Sequence, residues 1–158
     1  MYSVTIRAVM QALLTHIATL GPIGYIPFGP GTFGSLIGLI CLWFFPLSLR
    51  WHLLLIIIGS IIGSIAATAA EKQFRHKDSG KIIIDEFIGF SVAAFYIPHT
   101  PALLVAAFLL FRFFDIFKPL MIRKVEKALS NGKGVMADDI LAGIYSNAIL
   151  QVWVLLKN

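Results

Sequence analysis

Residues 51–70 read WHLLLIIIGSIIGSIAATAA, twenty positions without a formal charge. That length matches the ~20 residues a helix needs to cross the hydrocarbon of a bilayer. Gly59, Ser60, Gly63 and Ser64 recur inside the run, small residues of the kind that let membrane helices approach one another. The same character repeats outward from it. Residues 33–49 are apolar and close with Pro46, and residues 82–97 are apolar except for Asp85 and Glu86. Residues 102–118 form another apolar segment ending in RFFDIFKP, and residues 138–156 run apolar from Asp138-Asp139 to Leu156. Residues 4–20 mix Val, Ile, Met and Leu with Arg, Gln, Thr and His and predict an amphipathic helix on or at the membrane. Between these segments lie the breaks. GPIGYIPFGPGT (21–32) carries four Gly and three Pro and predicts a rigid loop, not a helix. EKQFRHKDSGK (71–81) reads as a charged loop, YIPHTP as a tight break, and 119–134 as a basic amphipathic segment finishing in NGKG.

Composition agrees. In 158 residues, 58% are hydrophobic and 13% charged, and the mean hydropathy is +0.86. Soluble chains carry roughly 25% charged residues, so a soluble or disordered protein is disfavoured. The length predicts a single domain over 1–158. Cys41 is the one cysteine, which leaves no disulfide framework and no thiol metal site. The net charge of +5 fits an anionic lipid surface or a phosphate substrate better than nucleic acid. Loop 71–81 holds four Lys/Arg and segment 112–133 six, while 96–101 holds none. By the positive-inside rule the first two face the cytoplasm and YIPHTP the opposite side. Counting spans then places the GPGTFG loop and the start of 138–156 at the cytoplasmic face as well.

Five of the eight acids lie in or at the edge of apolar segments: Asp85, Glu86, Asp115, Asp138 and Asp139. A charge at the centre of a membrane costs ~2.5–3.5 kcal/mol on the gentlest scale. Such groups persist when a cation or hydrogen-bond donors compensate them. Carboxylates from three helices meeting at one focus would make an oxygen-rich site suited to Mg²⁺. Taken singly, Asp138 reads as an N-cap and Asp139 as a first-turn acid favoured by the helix dipole. Asp115 and Lys118, three apart, could be a plain helical ion pair. No Lys or Arg follows Asp85-Glu86 until Arg112, and this pair is the strongest of the group. Glu71 and Glu126 lie among Lys and Arg and read as solvated pairs. PFGPGTFGS and NGKGVMADD are glycine turns that could meet phosphate through backbone N–H groups, although neither has the Walker A pattern. His16, His52, His76 and His99 show no ligand spacing.

Several phosphate chemistries are excluded by their missing motifs. Cys41 is followed by LWFFP, not by an arginine-bearing phosphate loop, and no Asp-x-Asp exists. The motif set of histidine-based lipid phosphatases, and the long Asp/Gly/Ala-Arg pattern of CDP-alcohol transferases, are also missing. Water activated by a carboxylate-held metal remains.

Four ordered blocks carry a resemblance: PFGPGTFGSLIGL (27–39), KDSGKIIIDEFIGF (77–90), FRFFDIFKPLMIRKVE (111–126) and NGKGVMADDILAG (131–143). Together they resemble the phosphatidylglycerophosphatase A family of bacterial lipid phosphatases. The resemblance implies an all-α, integral-membrane bundle of about six helices, one of them central. It implies hydrolysis of phosphatidylglycerophosphate in the bilayer to phosphatidylglycerol and phosphate, with Mg²⁺, at the cytoplasmic face of the bacterial inner membrane. The expected metal ligands are Asp85, Glu86, Asp115, Asp138 and Asp139, with Glu86 or Asp138 as general base. Lys118, with Arg112 and Lys133, would hold phosphate oxygens, and Gly31, Thr32 and Ser35 would supply loop donors. A transporter or channel using intramembrane carboxylates, or a membrane scaffold, are the competing classes. Acids clustered at one face beside lysines favour phosphoryl chemistry, whereas acids strung through the middle of the membrane favour transport.

Overall fold

Long apolar runs broken by Gly, Pro and charge can satisfy their backbone groups only as helices where lipid is the solvent. In the computed structural model, which describes residues 2–119, 121, 122, 124, 125, 129 and 131–157, six α-helices and no strand form among the described residues. They are α1 (Tyr2–Ala18), α2 (Pro30–Phe44), α3 (Leu49–Phe74), α4 (Ile84–Ala93), α5 (Pro101–Phe117) and α6 (Gly132–Lys157), with a 3₁₀ turn at Ile23–Tyr25. Glu126 and residues 120, 123, 127, 128 and 130 of the basic segment 119–134 lie outside the described residues.

The short α4 is the central element. It packs most extensively on α6 and α2, then on α3 and α5. Its Phe90 and Ala93 join Leu42, Leu104, Phe111, Ala142 and Leu150 in one core. Its Ile84 and Ile88 join Ala66, Ala67, Ala70, Val135 and Met136 in a second core on its other side. Thus α4 and α6 stand in the middle, with α2 and α5 to one side and α1 and α3 to the other.

Large and small side chains are distributed as lipid-facing helices require. The buried positions of α3 are mostly small, including Gly63, Ala66, Ala67, Ala69 and Ala70. Its bulky residues Ile57, Ile58, Ile61, Ile62 and Ile65 are exposed. The close contacts that small residues allow replace the inward-facing bulk of a water-soluble core. α3 and α6 are each 26 residues and apolar enough to cross a membrane. α4, at 10 residues, spans about 15 Å, half the ~30 Å of hydrocarbon.

Four boundaries differ from the sequence reading. Pro30, Gly31 and Thr32, expected in a loop, form the first turn of α2. Gly29 precedes them in the left-handed region (φ 59), and Pro30 takes the first helical position, where its missing N–H goes unneeded. α3 runs past residue 70 to Phe74, so Glu71 is helical and only 8% exposed. Its Oε1 accepts the Asp78 N–H at 2.9 Å, tying down the turn that follows, so it is not a solvated ion pair. The apolar stretch 82–97 is helical only over Ile84–Ala93. Finally, α6 starts at Gly132, six positions before Asp138, with the Gly132 N–H donated to Thr68 Oγ1 at 3.2 Å. Asp138 and Asp139 therefore sit about two turns inside the helix and cap nothing.

Candidate active site

Three helices deliver the five acids to one end of the bundle. Asp85 and Glu86 occupy the first turn of α4, where the positive end of the helix dipole favours them. Asp115 comes from the end of α5, and Asp138 and Asp139 from the face of α6 that meets α4 and α5. Asp85, Glu86 and Asp139 offer carboxylate oxygens within 4.8 Å of one another, and Asp115, Asp138 and Asp139 do the same. Asp139 belongs to both groups, so the site has room for two cation positions sharing one ligand.

The protein supplies too few donors for these oxygens. Asp85 Oδ1, Glu86 Oε2 and Asp139 Oδ2 are buried and accept no hydrogen bond. Burial, followed by the charge of Glu86, pushes the Asp85 carboxyl well above the usual range. Burial, followed by the charge of Asp139, pushes Glu86 up to about 8. Buried like charges without donors are compensated by a cation, and a set made only of carboxylate oxygens fits a hard one such as Mg²⁺.

Two cationic side chains border the focus. Arg112 Nη1 donates to Asp115 Oδ2 at 2.5 Å. Lys118 forms an ion pair with Asp138. Lys118 closes α5 with φ 44, a left-handed conformation uncommon outside glycine and often found at functional sites. Carboxylates, Arg and Lys thus share one end of the bundle, an arrangement suited to phosphate and not to a path through the membrane.

Residues 16–154 match the family model described as Phosphatidylglycerophosphatase A. The chain belongs to this family. It is 38% identical over 130 residues to Phosphatidylglycerophosphatase A of Escherichia coli, covering 80% of this chain and 75% of that one. Identity to the protein of the same name from Haemophilus influenzae is 34% over 157 residues, covering 90% and 96%. A Bacteroides thetaiotaomicron protein, provisionally named a phosphatidylinositol-3-phosphatase, is 37% identical over 144 residues, covering 84% and 89%. No solved structure matches the chain. Its relatives place the chain among phosphatases, which are enzymes.

Within the phosphatidylglycerophosphatase A fold, the remaining expected site residues take different positions. Gly31 is buried against α4: a Cβ there would strike the Glu86 carboxylate and come within 3.4 Å of Arg112 Nη1. Thr32 is exposed beside it, at the α2 terminus. Ser35 is fully buried, and its hydroxyl donates to the Gly31 and Thr32 carbonyls at 3.1 Å. Lys133 is not brought to the carboxylates; it lines a groove with residues of α1 and α3.

The sequence reading gave Gly31 as a loop donor and missed Gly89, and in the structure both glycines act as spacers between helices. Gly31 makes room for Glu86. Gly89 lets α4 approach α6, since a Cβ there would lie 2.8 Å from the Asp139 carbonyl and 2.9 Å from its Cβ. The available signal was the placement of glycine in otherwise helical, apolar blocks, which marks close approach between backbones.

Proposed function

We propose that the protein is a Mg²⁺-dependent lipid phosphatase that hydrolyses phosphatidylglycerophosphate to phosphatidylglycerol and inorganic phosphate. The observation that carries this reading is the pair of overlapping carboxylate groups sharing Asp139, bordered by Arg112 and Lys118, in a chain of this family. Mg²⁺ held by Asp85, Glu86, Asp115, Asp138 and Asp139 would supply positive charge to the phosphate and lower the pKa of water. Lys118 and Arg112, already poised on Asp138 and Asp115, would turn toward the phosphate oxygens as charge builds on them. Glu86 or Asp138, freed of its own proton when the cation is held, would take the proton of the attacking water as general base. The P–O bond to glycerol breaks as the water oxygen bonds to phosphorus, and the departing alkoxide takes a proton to become the glycerol hydroxyl. Thr32, exposed at the rim, would meet the headgroup.

Exposed apolar side chains on α1, α3 and α6 would hold the enzyme in the bacterial inner membrane as a multi-pass protein. The Lys/Arg asymmetry favours a cytoplasmic site. Cysteines introduced singly in a Cys41→Ser background should react with an impermeant reagent outside intact cells near 97–101 and not within 71–81.

Phosphate release from detergent-dispersed phosphatidylglycerophosphate, with and without Mg²⁺, tests the activity. The relative provisionally named a phosphatidylinositol-3-phosphatase makes that lipid the second substrate to assay. Release without Mg²⁺ after chelation would remove the metal. Radiolabelled phosphate retained on quenched enzyme and freed by hydroxylamine would replace direct attack by water with an aspartyl-phosphate step.

A further inference from the structure

A groove runs between α1, α3 and α6 on the side of the bundle away from α2 and α5. Its upper part, about 320 Å³, is lined by Lys72, Lys133 and Gln11, with Ser64 and Thr68 behind them. Its lower part, about 390 Å³, shares Ser64, Ile65 and Lys133 and continues along Ile61, Met136 and Ile140. Among the described residues no acid lines either part, and neither lysine makes an ion pair with a described residue. Gln11 Nε2 donates one hydrogen to the Ala69 carbonyl at 2.5 Å and keeps a second N–H. The Thr68 and Ser64 hydroxyls donate to carbonyls of their own helix, so the lysines and the amide are the donors available to a ligand.

We propose that this groove binds an anionic phospholipid, separately from the carboxylate site. The phosphate sits between Lys72 and Lys133, and one acyl chain lies along Ile61, Ile65 and Ile140. Charge and depth both select this occupant. Two cations in a groove with no acid among its described lining residues recognise an anion. Ile65 lies seven positions before Lys72, about 10 Å down the α3 axis, on a helix long and apolar enough to cross the bilayer. A phosphate at the level of Lys72 therefore places its chain among the isoleucines, of which Ile61 and Ile65 are exposed. Free phosphate would leave the apolar half of the groove empty, and a zwitterionic lipid would bring a cation against the lysines. α4 and α6 stand between this groove and the α2–α5 side that carries Gly31, Thr32 and Arg112. A lipid here is thus a resident or regulatory ligand and not the one being hydrolysed.

Native mass spectrometry of the full-length detergent-solubilised protein with phosphatidylglycerol, phosphatidylcholine or glycerol phosphate tests this without turnover. One retained phosphatidylglycerol is expected, with phosphatidylcholine and glycerol phosphate failing to compete. Lys72→Gln combined with Lys133→Gln should weaken retention roughly 30-fold. Ile65→Trp should weaken it by filling the groove, and Asp139→Asn should leave it unchanged. A photoactivatable acyl chain should label α3 near residues 61–65. Equal retention of phosphatidylcholine, competition by glycerol phosphate, full retention by the double lysine variant, or loss in Asp139→Asn would each overturn the proposal. The last would assign the lipid to the catalytic site.

Discussion

The two ends of the bundle both bury polar side chains, and they treat them in opposite ways. At the end away from the acids, His52 is 2% exposed and its Nε2 lies 2.9 Å from the Ser91 carbonyl. Asn147 Nδ2 donates to the carbonyls of Ala93 and Phe95 at 3.1 and 2.6 Å, and Gln151 Nε2 donates to Phe95 and Tyr96. These side chains receive the carbonyls left over where α4 ends, a structural task. At the acidic end, oxygens of Asp85, Glu86 and Asp139 are buried with no donor. A satisfied buried group reports how the chain is held together. An unsatisfied one reports a ligand the chain is built to receive.

The sharpest way to break this contrast is at its shared ligand. Asp139→Asn should lower phosphate release on the order of 100-fold or more while the protein still folds, because removing one carboxylate relieves repulsion among the rest. Asp85→Asn should follow it. Near wild-type turnover in either variant would dissolve the proposed cation site. Gly31→Ala comes next. Its methyl group would displace the Glu86 carboxylate, and a loss of roughly tenfold in kcat with an almost unchanged melting temperature is expected.

At the opposite end the readouts should reverse. His52→Ala should cost about 2 kcal/mol of stability by leaving a cavity and the Ser91 carbonyl unpaired, with kcat close to wild type. If His52→Ala abolished activity in a folded protein, the contrast between the ends would fail. The pH dependence sharpens the same point. Glu86 is raised from 4.5 to about 8, so without a cation the folded state holds a proton that the unfolded chain has released. Stability of the cation-free protein should therefore fall as the pH rises from 4.5 through about 8. Mg²⁺ must displace that proton, so its affinity in a calorimetric titration should strengthen over the same range. The smallest effect is expected at Glu71→Gln, which keeps the oxygen that accepts the Asp78 N–H. Its melting temperature and turnover should stay near wild type.

Much of this was legible in the sequence. Charge-free runs marked the helices, and five acids in apolar surroundings marked the site. Order and spacing of the four blocks marked the family. What escaped depended on neighbours distant in sequence. Asp138 follows Gly-Lys-Gly and looks like a cap, but α6 begins earlier because Thr68 of α3 accepts the Gly132 N–H. Lys133 sits five positions before Asp138, on another face of the same helix, and only the packing of α1 and α3 shows which groove it enters. Glu71 looks solvated because its partner, the Asp78 N–H, is a backbone group and carries no sequence signature.

The brevity of α4 has a consequence for how the protein is made. A ten-residue segment with two acids in its first turn cannot enter a bilayer alone. Its most extensive neighbour, α6, comes after the other five helices in chain order. Until α6 arrives, α4 lacks its largest supporting surface and Asp139 is missing from the focus. Assembly of the site is thereby deferred until residues 132–157 have been made, and a chain truncated before residue 132 carries Asp85, Glu86 and Asp115 without the Asp138 and Asp139 that the proposed cation site needs.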